Sequence, residues 1–231
     1  MGKKSKINKT CYCCDKIGIG REHIPPKGLF PDMRNAPIGY NKFRSLVMKT
    51  VPSCDEHNNK KASLDEVFIY QIVSAAKFKN NSAVENIAKK RIKRLVESKT
   101  FHDKVFKDNK IIINNGKKTL AFRVNRDNFD MVVSCIASGI YFNETADKIL
   151  PQRWIIASNI FKNENGGSIY NDEKYEKIES LSRLLECHVQ FNSDCPWLFR
   201  YFIYCGNSLL IRMVIYDSVE INALVPDWNK T

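Results

Sequence analysis

The sequence predicts an α+β protein: a short, loop-rich N-terminal core followed by helices and an antiparallel sheet. Residues 11–61 are rich in Cys, Pro, Gly and Asn, with little helical periodicity. From residue 63 onward apolar residues recur at helical spacing. Later β-rich runs are joined by Asn-Gly and Gly-Asn pairs, which signal hairpins. The chain accordingly divides into a basic flexible arm over 1–10, a core over 11–66 and an α+β domain over 67–231.

Residues 11–61 read as short strands and loops, with few large apolar groups to build a core of their own. Ser63-Leu64-Asp65-Glu66 has capping-box spacing and opens a helix through Phe68, Ile69, Ile72 and Val73. Ser82-Ala83-Val84-Glu85 opens a second helix. Its Val84, Ile87, Ala88, Ile92, Leu95 and Val96 follow a 3.6-residue period, with Lys89, Lys90, Lys93 and Arg94 on the other side. Segments 111–113 and 120–124 flank Asn115-Gly116, a hairpin signal. Asn125 can cap a helix whose Phe129, Val132, Val133, Ile136 and Ile140 share one face. Residues 152–161 read as a strand around Trp154-Ile155-Ile156, and 172–186 as an amphipathic helix through Tyr175, Ile178, Leu181 and Leu185. Segments 197–205 and 208–216 are β-rich and joined by Gly206-Asn207, which suits a type II′ turn.

The net charge of +12 is uneven. Residues 1–61 hold 13 Lys/Arg against 5 Asp/Glu, residues 77–110 hold 11 against 4, and the rest sum to −3. Such polarity points to a polyanionic partner such as nucleic acid, although a lysine-rich helix face also suits plain solvation. No stretch approaches the roughly 18 apolar residues that span a membrane. The first residues lack the apolar run of a secretory signal. The eight cysteines do not form a disulfide framework, so a reducing, cytoplasmic setting is expected.

Cys11 and Cys14 form a C-x₂-C pair, and Cys54 and His57 a C-x₂-H pair. Thiolate and imidazole are the ligands tetrahedral Zn²⁺ prefers, and two such pairs close a structural site. Metal binding would supply folding free energy on the order of 10 kcal/mol to a segment short of core. Cys13 is a spare ligand. Cys187-His188 with Cys195 fits no common metal spacing and sits among strand residues.

Glu22-His23 places a carboxylate beside an imidazole, and Asn58 offers an amide oxygen directly after the second metal pair. One histidine and two hard oxygen ligands suit Mg²⁺, or Mn²⁺ in its place. Adjacent residues in a strand face opposite ways, so Glu22 and His23 need a bend or bulge near Pro25-Pro26 to share a site. Asn58 and Asn59 also suit helix capping.

These residues, in the order Cys11/Cys14, Glu22-His23-Ile24-Pro25-Pro26, Cys54-x-x-His57-Asn58-Asn59-Lys60-Lys61, resemble the HNH endonuclease family over roughly residues 11–66. The resemblance implies a ββα-metal core, two strands and a helix around one catalytic metal. It implies His23 as general base deprotonating water, with Glu22 and Asn58 as ligands of a catalytic Mg²⁺ or Mn²⁺. Two departures stand out. His57 replaces the usual fourth cysteine. The asparagine that orients the base is not evident before Val51, with Asn41 the nearest candidate and a backbone carbonyl the other means.

The expected function is metal-dependent hydrolysis of phosphodiester bonds in DNA, with RNA as a second substrate class. Lys27, Lys60 and Lys61, together with the basic helix, would contact phosphates. A regulatory or substrate-binding role for residues 67–231 fits a phage-defence or toxin-like system, with a homodimer or a regulatory partner protein. The alternative is a zinc-containing nucleic-acid-binding module without catalysis.

Overall fold

The structure is a computed structural model. It describes residues 10–30, 49–77, 82–98, 103, 105, 108, 110–114, 116–161 and 173–228. The basic arm over 1–9, Asn41, Asn115 and Asp172 lie outside the described residues. So do the side chains of Ser82, Val84, Leu95, Val96, Leu120 and Tyr175.

The N-terminal part runs strand, strand, helix. β1 (Gly20–Ile24) pairs antiparallel with β2 (Lys49–Ser53) in unbroken register, from Gly20 opposite Ser53 to Ile24 opposite Lys49. α1 (Ala62–Ala75) follows. The capping box expected at Ser63 is not used. The helix begins two residues earlier, Lys61 sits at the N-cap in place of Ser63, and no side chain caps it. The carbonyl of Lys61 instead accepts from Leu64 N at 2.9 Å and Asp65 N at 3.0 Å. The Lys61 side chain, tied into the interior, fixes where the helix starts.

α2 (Ser82–Glu97) packs on α1 through Ile87 and Ala88. Ile92, expected on that apolar face, is 53% exposed. The neighbouring Arg91 anchors the helix instead, donating to Gly28 O at 3.1 Å and lying over the Tyr70 ring. β3 (Lys110–Asn114) and β4 (Lys117–Ala121) form the expected two-residue hairpin, with Gly116 at φ +74°.

α3 (Arg126–Thr145) is the central helix, capped as expected by the Asn125 side chain, which accepts from Asn128 N at 3.1 Å. Eleven of its residues are buried, from Phe129 to Tyr141. It touches α1, β1 and β2 on one side and the C-terminal sheet on the other. Where it crosses β1 it carries Gly139, at which a Cβ would meet Ile24 side-chain atoms at 2.5 to 3.1 Å.

The C-terminal sheet is antiparallel and five-stranded, in the order β5-β9-β8-β7-β6. Its strands are β5 (Ile155–Ser158), β6 (Asn192–Cys195), β7 (Phe199–Cys205), β8 (Leu209–Ile215) and β9 (Val219–Val225). β5 is shorter than the segment predicted over 152–161. Pro151–Arg153 form a 3₁₀ turn, and Trp154 is held outside the strand by its indole N–H donating to Ser138 Oγ at 2.9 Å. The Gly206-Asn207 connection is not a type II′ turn. Cys205 pairs with Leu209, which leaves three residues, and Gly206 is not at positive φ. α4 (Glu173–Glu186) covers the sheet face opposite α3, packing Ile178 against Ala157, Phe202 and Leu210. All seven β8 residues are therefore buried.

Residues 11–66 do not form a core apart from the rest. Cys11, Tyr12, Ile24 and Val51 belong to one continuous buried cluster with Phe129, Ile136, Ile211 and Val225. Among the described residues, no helix is long and apolar enough to cross a membrane.

Candidate functional site

The four soft ligands expected from the sequence converge. One ligand atom from each of Cys11, Cys14, Cys54 and His57 lies within 4.8 Å of all the others, and together they could hold a metal ion. His57 Nδ1 is 3.6, 3.5 and 3.3 Å from the sulfurs of Cys11, Cys14 and Cys54, and Cys14 Sγ is 3.8 Å from Cys54 Sγ. A tetrahedral ion with metal–sulfur bonds near 2.3 Å requires ligand edges of about 3.5–3.8 Å, so the donor set is compatible with structural zinc. Local chain geometry builds the cluster. Cys11 N donates to Lys16 O at 2.8 Å, closing the first turn, and Cys13 N points at Cys11 Sγ at 3.4 Å. Tyr12 N donates to Pro52 O at 2.9 Å, which lays that turn against the end of β2, directly before Cys54. Beyond α3, Lys148 Nζ donates to Thr10 Oγ1 at 2.6 Å and Cys14 O at 3.1 Å.

Cys13 takes another place. Its thiol is buried with those facing it, and Cys13, Cys135 and His57 also lie within 4.8 Å of one another. Burial pushes the Cys13 thiol far up, while its hydrogen bond to Cys135 holds the latter down. Cys187 is exposed and Cys195 buried, and neither joins a metal-competent cluster among the described residues.

Glu22 points inward from β1 and its side chain is 6% exposed. Its counter-charge is Lys61. The Lys61 ammonium lies 2.6 Å from Glu22 Oε1 and 2.5 Å from Asp65 Oδ1, and the Lys61 side chain is 3% exposed. Tyr12 Oη donates to Glu22 Oε2 at 3.4 Å. Burial pushes the Glu22 carboxyl up to about 6, against the pull of the Lys61 ammonium. Lys61, expected to face phosphates, is thus an interior ion-pair partner. The reason is its position at the start of α1, where the helix leans on the inner face of β1. Two carboxylates around one positive centre have the charge for a cation, and the lysine supplies it.

His23 lies on the other face of β1. Glu22 and Ile24 are buried and His23 between them is half-buried, as a regular strand requires. The bulge that would turn both side chains to one side is not formed, since the β1–β2 register does not shift. His23 shares the outer face with exposed Arg21, which donates to Thr50 Oγ1 at 2.7 Å and Thr50 O at 2.9 Å. Asn58 returns to the inner face. Its Nδ2 sits 2.9 Å from where a Cβ on Gly20 would stand, two residues from Glu22 on the same side of the strand. Asn59 has a local role, donating from Nδ2 to Asp55 Oδ1 at 2.8 Å.

Of the expected phosphate-contacting residues, Lys27, Lys60, Lys89, Lys90, Lys93 and Arg94 are exposed. Lys89 lies 3.9 Å from Glu85, Lys93 3.6 Å from Glu97 and Arg94 2.8 Å from Glu66, so part of the stripe is internally balanced. Sequence reasoning missed Tyr12 as a partner of Glu22 and Asp65 as the second carboxylate on Lys61. Lys61 and Asp65 at i, i+4 were the legible half of that signal. Comparison of the chain with protein-family models, curated proteins and solved structures gives no match.

Proposed function

We propose that this chain is an HNH-type endonuclease that hydrolyses phosphodiester bonds in DNA, with Cys11, Cys14, Cys54 and His57 holding a structural zinc. The observation that supports this reading is the cluster itself: edges of 3.3 to 3.8 Å pin the turn before β1 to the turn after β2. Both turns lie at the Gly20–Ser53 end of the strand pair, so the strand carrying Glu22-His23 starts from a fixed point. In this reading His23, which lies on the face of β1 opposite Glu22 and Asn58, would have to turn to their side to take the proton of the attacking water. The exposed Arg21, Lys27 and Lys60 hold the phosphate backbone, positioning the strand without reading sequence. Glu22 and Asn58 would hold Mg²⁺ or Mn²⁺ only after Lys61 had left Glu22, and the ion would supply charge stabilisation to the phosphoryl and leaving oxygens. Burial of α3 between the N-terminal part and the sheet supports a regulatory role for the C-terminal half.

A second reading, a zinc-containing nucleic-acid-binding module without catalysis, is favoured by one observation: Glu22 is neutralised by Lys61 rather than left open. Plasmid nicking with Mg²⁺ or Mn²⁺, read beside DNA binding by fluorescence anisotropy, separates the two. Wild type should nick, and His23→Ala should lose roughly 100-fold or more in rate with binding intact. Zinc-loaded, folded wild type that binds DNA or RNA and cuts neither leaves the binding module.

A further inference from the structure

We propose that the cavity where the Ile24–Lys49 end of the strand pair meets α3 and the β6–β7 edge binds a single nucleobase, one that carries an exocyclic amino group. The proposal goes beyond the nuclease reading and stands whether or not the chain cuts. The cavity is about 360 Å³, at the lower end of the range of ligand pockets, which suits one nucleoside. Its charge is cancelled from within. Lys49 Nζ lies 2.6 Å from Glu144 Oε1, and Tyr201 Oη donates to the same oxygen at 2.7 Å. Opposite charges this close leave little field for a free phosphate, a carboxylate or a metal ion, so a neutral ligand is favoured. Three side-chain amides line the cavity, Asn143, Gln190 and Asn192, and none has a hydrogen-bond partner among the described residues. An amide offers a donor and an acceptor side by side, which complements the edge of a base. Both bonds to Glu144 fall on Oε1, so Oε2 remains an acceptor, which an exocyclic amine suits. The rings of Phe199 and Tyr201, with centroids 5.8 Å apart, add aromatic lining of the kind on which bases stack. The β6–β7 register shifts between Asn192 and Cys195, and such irregularities at a sheet edge re-aim side chains. Ile24 and Lys49 pair one step along from His23 and Thr50, so the cavity begins one residue from His23. The base can therefore come from a free nucleoside or from a nucleotide turned out of bound DNA.

The zinc-loaded full chain is tested in two arms. In the first, saturation-transfer NMR follows free adenosine, cytidine, thymidine and ribose 5-phosphate. Adenosine and cytidine should receive saturation on their base protons and thymidine less, and ribose 5-phosphate should neither receive it nor compete. In the second, a 2-aminopurine placed within a DNA duplex reports a base leaving the stack by a rise in fluorescence. Gln190→Ala and Asn192→Ala, both at exposed positions, should each weaken binding on the order of tenfold with the melting temperature unchanged. Signal in the first arm alone assigns the cavity to a soluble nucleoside. Signal in the second that those variants remove assigns it to a base of bound DNA. No signal in either arm, binding that the variants leave intact, thymidine binding as tightly as adenosine, or equal competition by ribose 5-phosphate overturns the proposal. Wild type that nicks DNA with neither arm positive removes this inference alone. Nucleoside binding by a chain that never cuts removes the nuclease reading alone.

Discussion

Two cations are buried among the described residues, and their surroundings differ. Arg212, in β8 beneath α4, is 1% exposed, with Nη2 3.2 Å from Glu186 and 3.1 Å from Glu220 and Nη1 2.9 Å from Ser182 Oγ. Glu179 adds a third carboxylate at 3.7 Å. These carboxylates are 23% to 35% exposed. Lys61 has two carboxylates, one of them almost fully enclosed. The guanidinium fork spreads its donors over a helix and a strand, and every carboxylate it serves can turn to water. The ammonium of Lys61 neutralises a group that has nowhere else to go. Arg212 staples a seam between two elements, whereas Lys61 closes a charge pair in the interior.

The largest effect should come from below both networks. Chelating the proposed zinc, or Cys54→Ser, should remove stabilisation on the order of 10 kcal/mol, enough to unfold the chain, read as urea melts beside zinc content. Equal melts with and without metal would detach the cluster from the fold. Next, Lys61→Met should cost about 3–5 kcal/mol near pH 8, since it strands a buried carboxylate. Arg212→Met should cost roughly half as much, since its carboxylates reach solvent. Equal costs in urea titrations would erase the contrast drawn between the two cations.

The smallest effect is in pH. The Glu22 carboxyl is raised from 4.5 to about 6, so the folded chain holds its proton more tightly than the unfolded one does. Its contribution to stability therefore falls as pH rises through that window, by about 2 kcal/mol, and is level above it. The wild-type minus Glu22→Gln difference in unfolding free energy, followed from pH 4 to 7, should show this decline. A flat difference would mean that Glu22 ionises as it does in the unfolded chain.

Local spacing made part of this molecule legible. Cys11/Cys14 and Cys54/His57 each lie within one turn, so their convergence needs only that the two turns meet. Asn125 and the Asn115-Gly116 hairpin were readable for the same reason, since their partners are close in sequence. The rest depended on contacts far along the chain. Lys61 reads as a surface lysine in a run of Asn and Lys, and only the approach of β1 to α1 makes it interior. β9 was not foreseen, because Asn222 and Glu220 interrupt its apolar run. Both turn toward the α4 side, where Asn222 accepts from Ser182 Oγ at 2.6 Å and Glu220 meets Arg212. The expected boundary at residue 66 failed to predict one shared core, since composition does not say which apolar faces will meet.

Gly139 has a bearing on this shared core. A single hydrogen atom, where any other residue would carry a carbon, sets the stand-off between the longest helix and the strand bearing Glu22 and His23. A methyl group there would act as a shim, wedging the Ile24 end of β1 away from α3 while the ligand turns hold the Gly20 end. The strand would have to swing about that fixed end. The placing of Glu22 and His23, one on each face of that strand, is thus calibrated from a helix that carries neither of them.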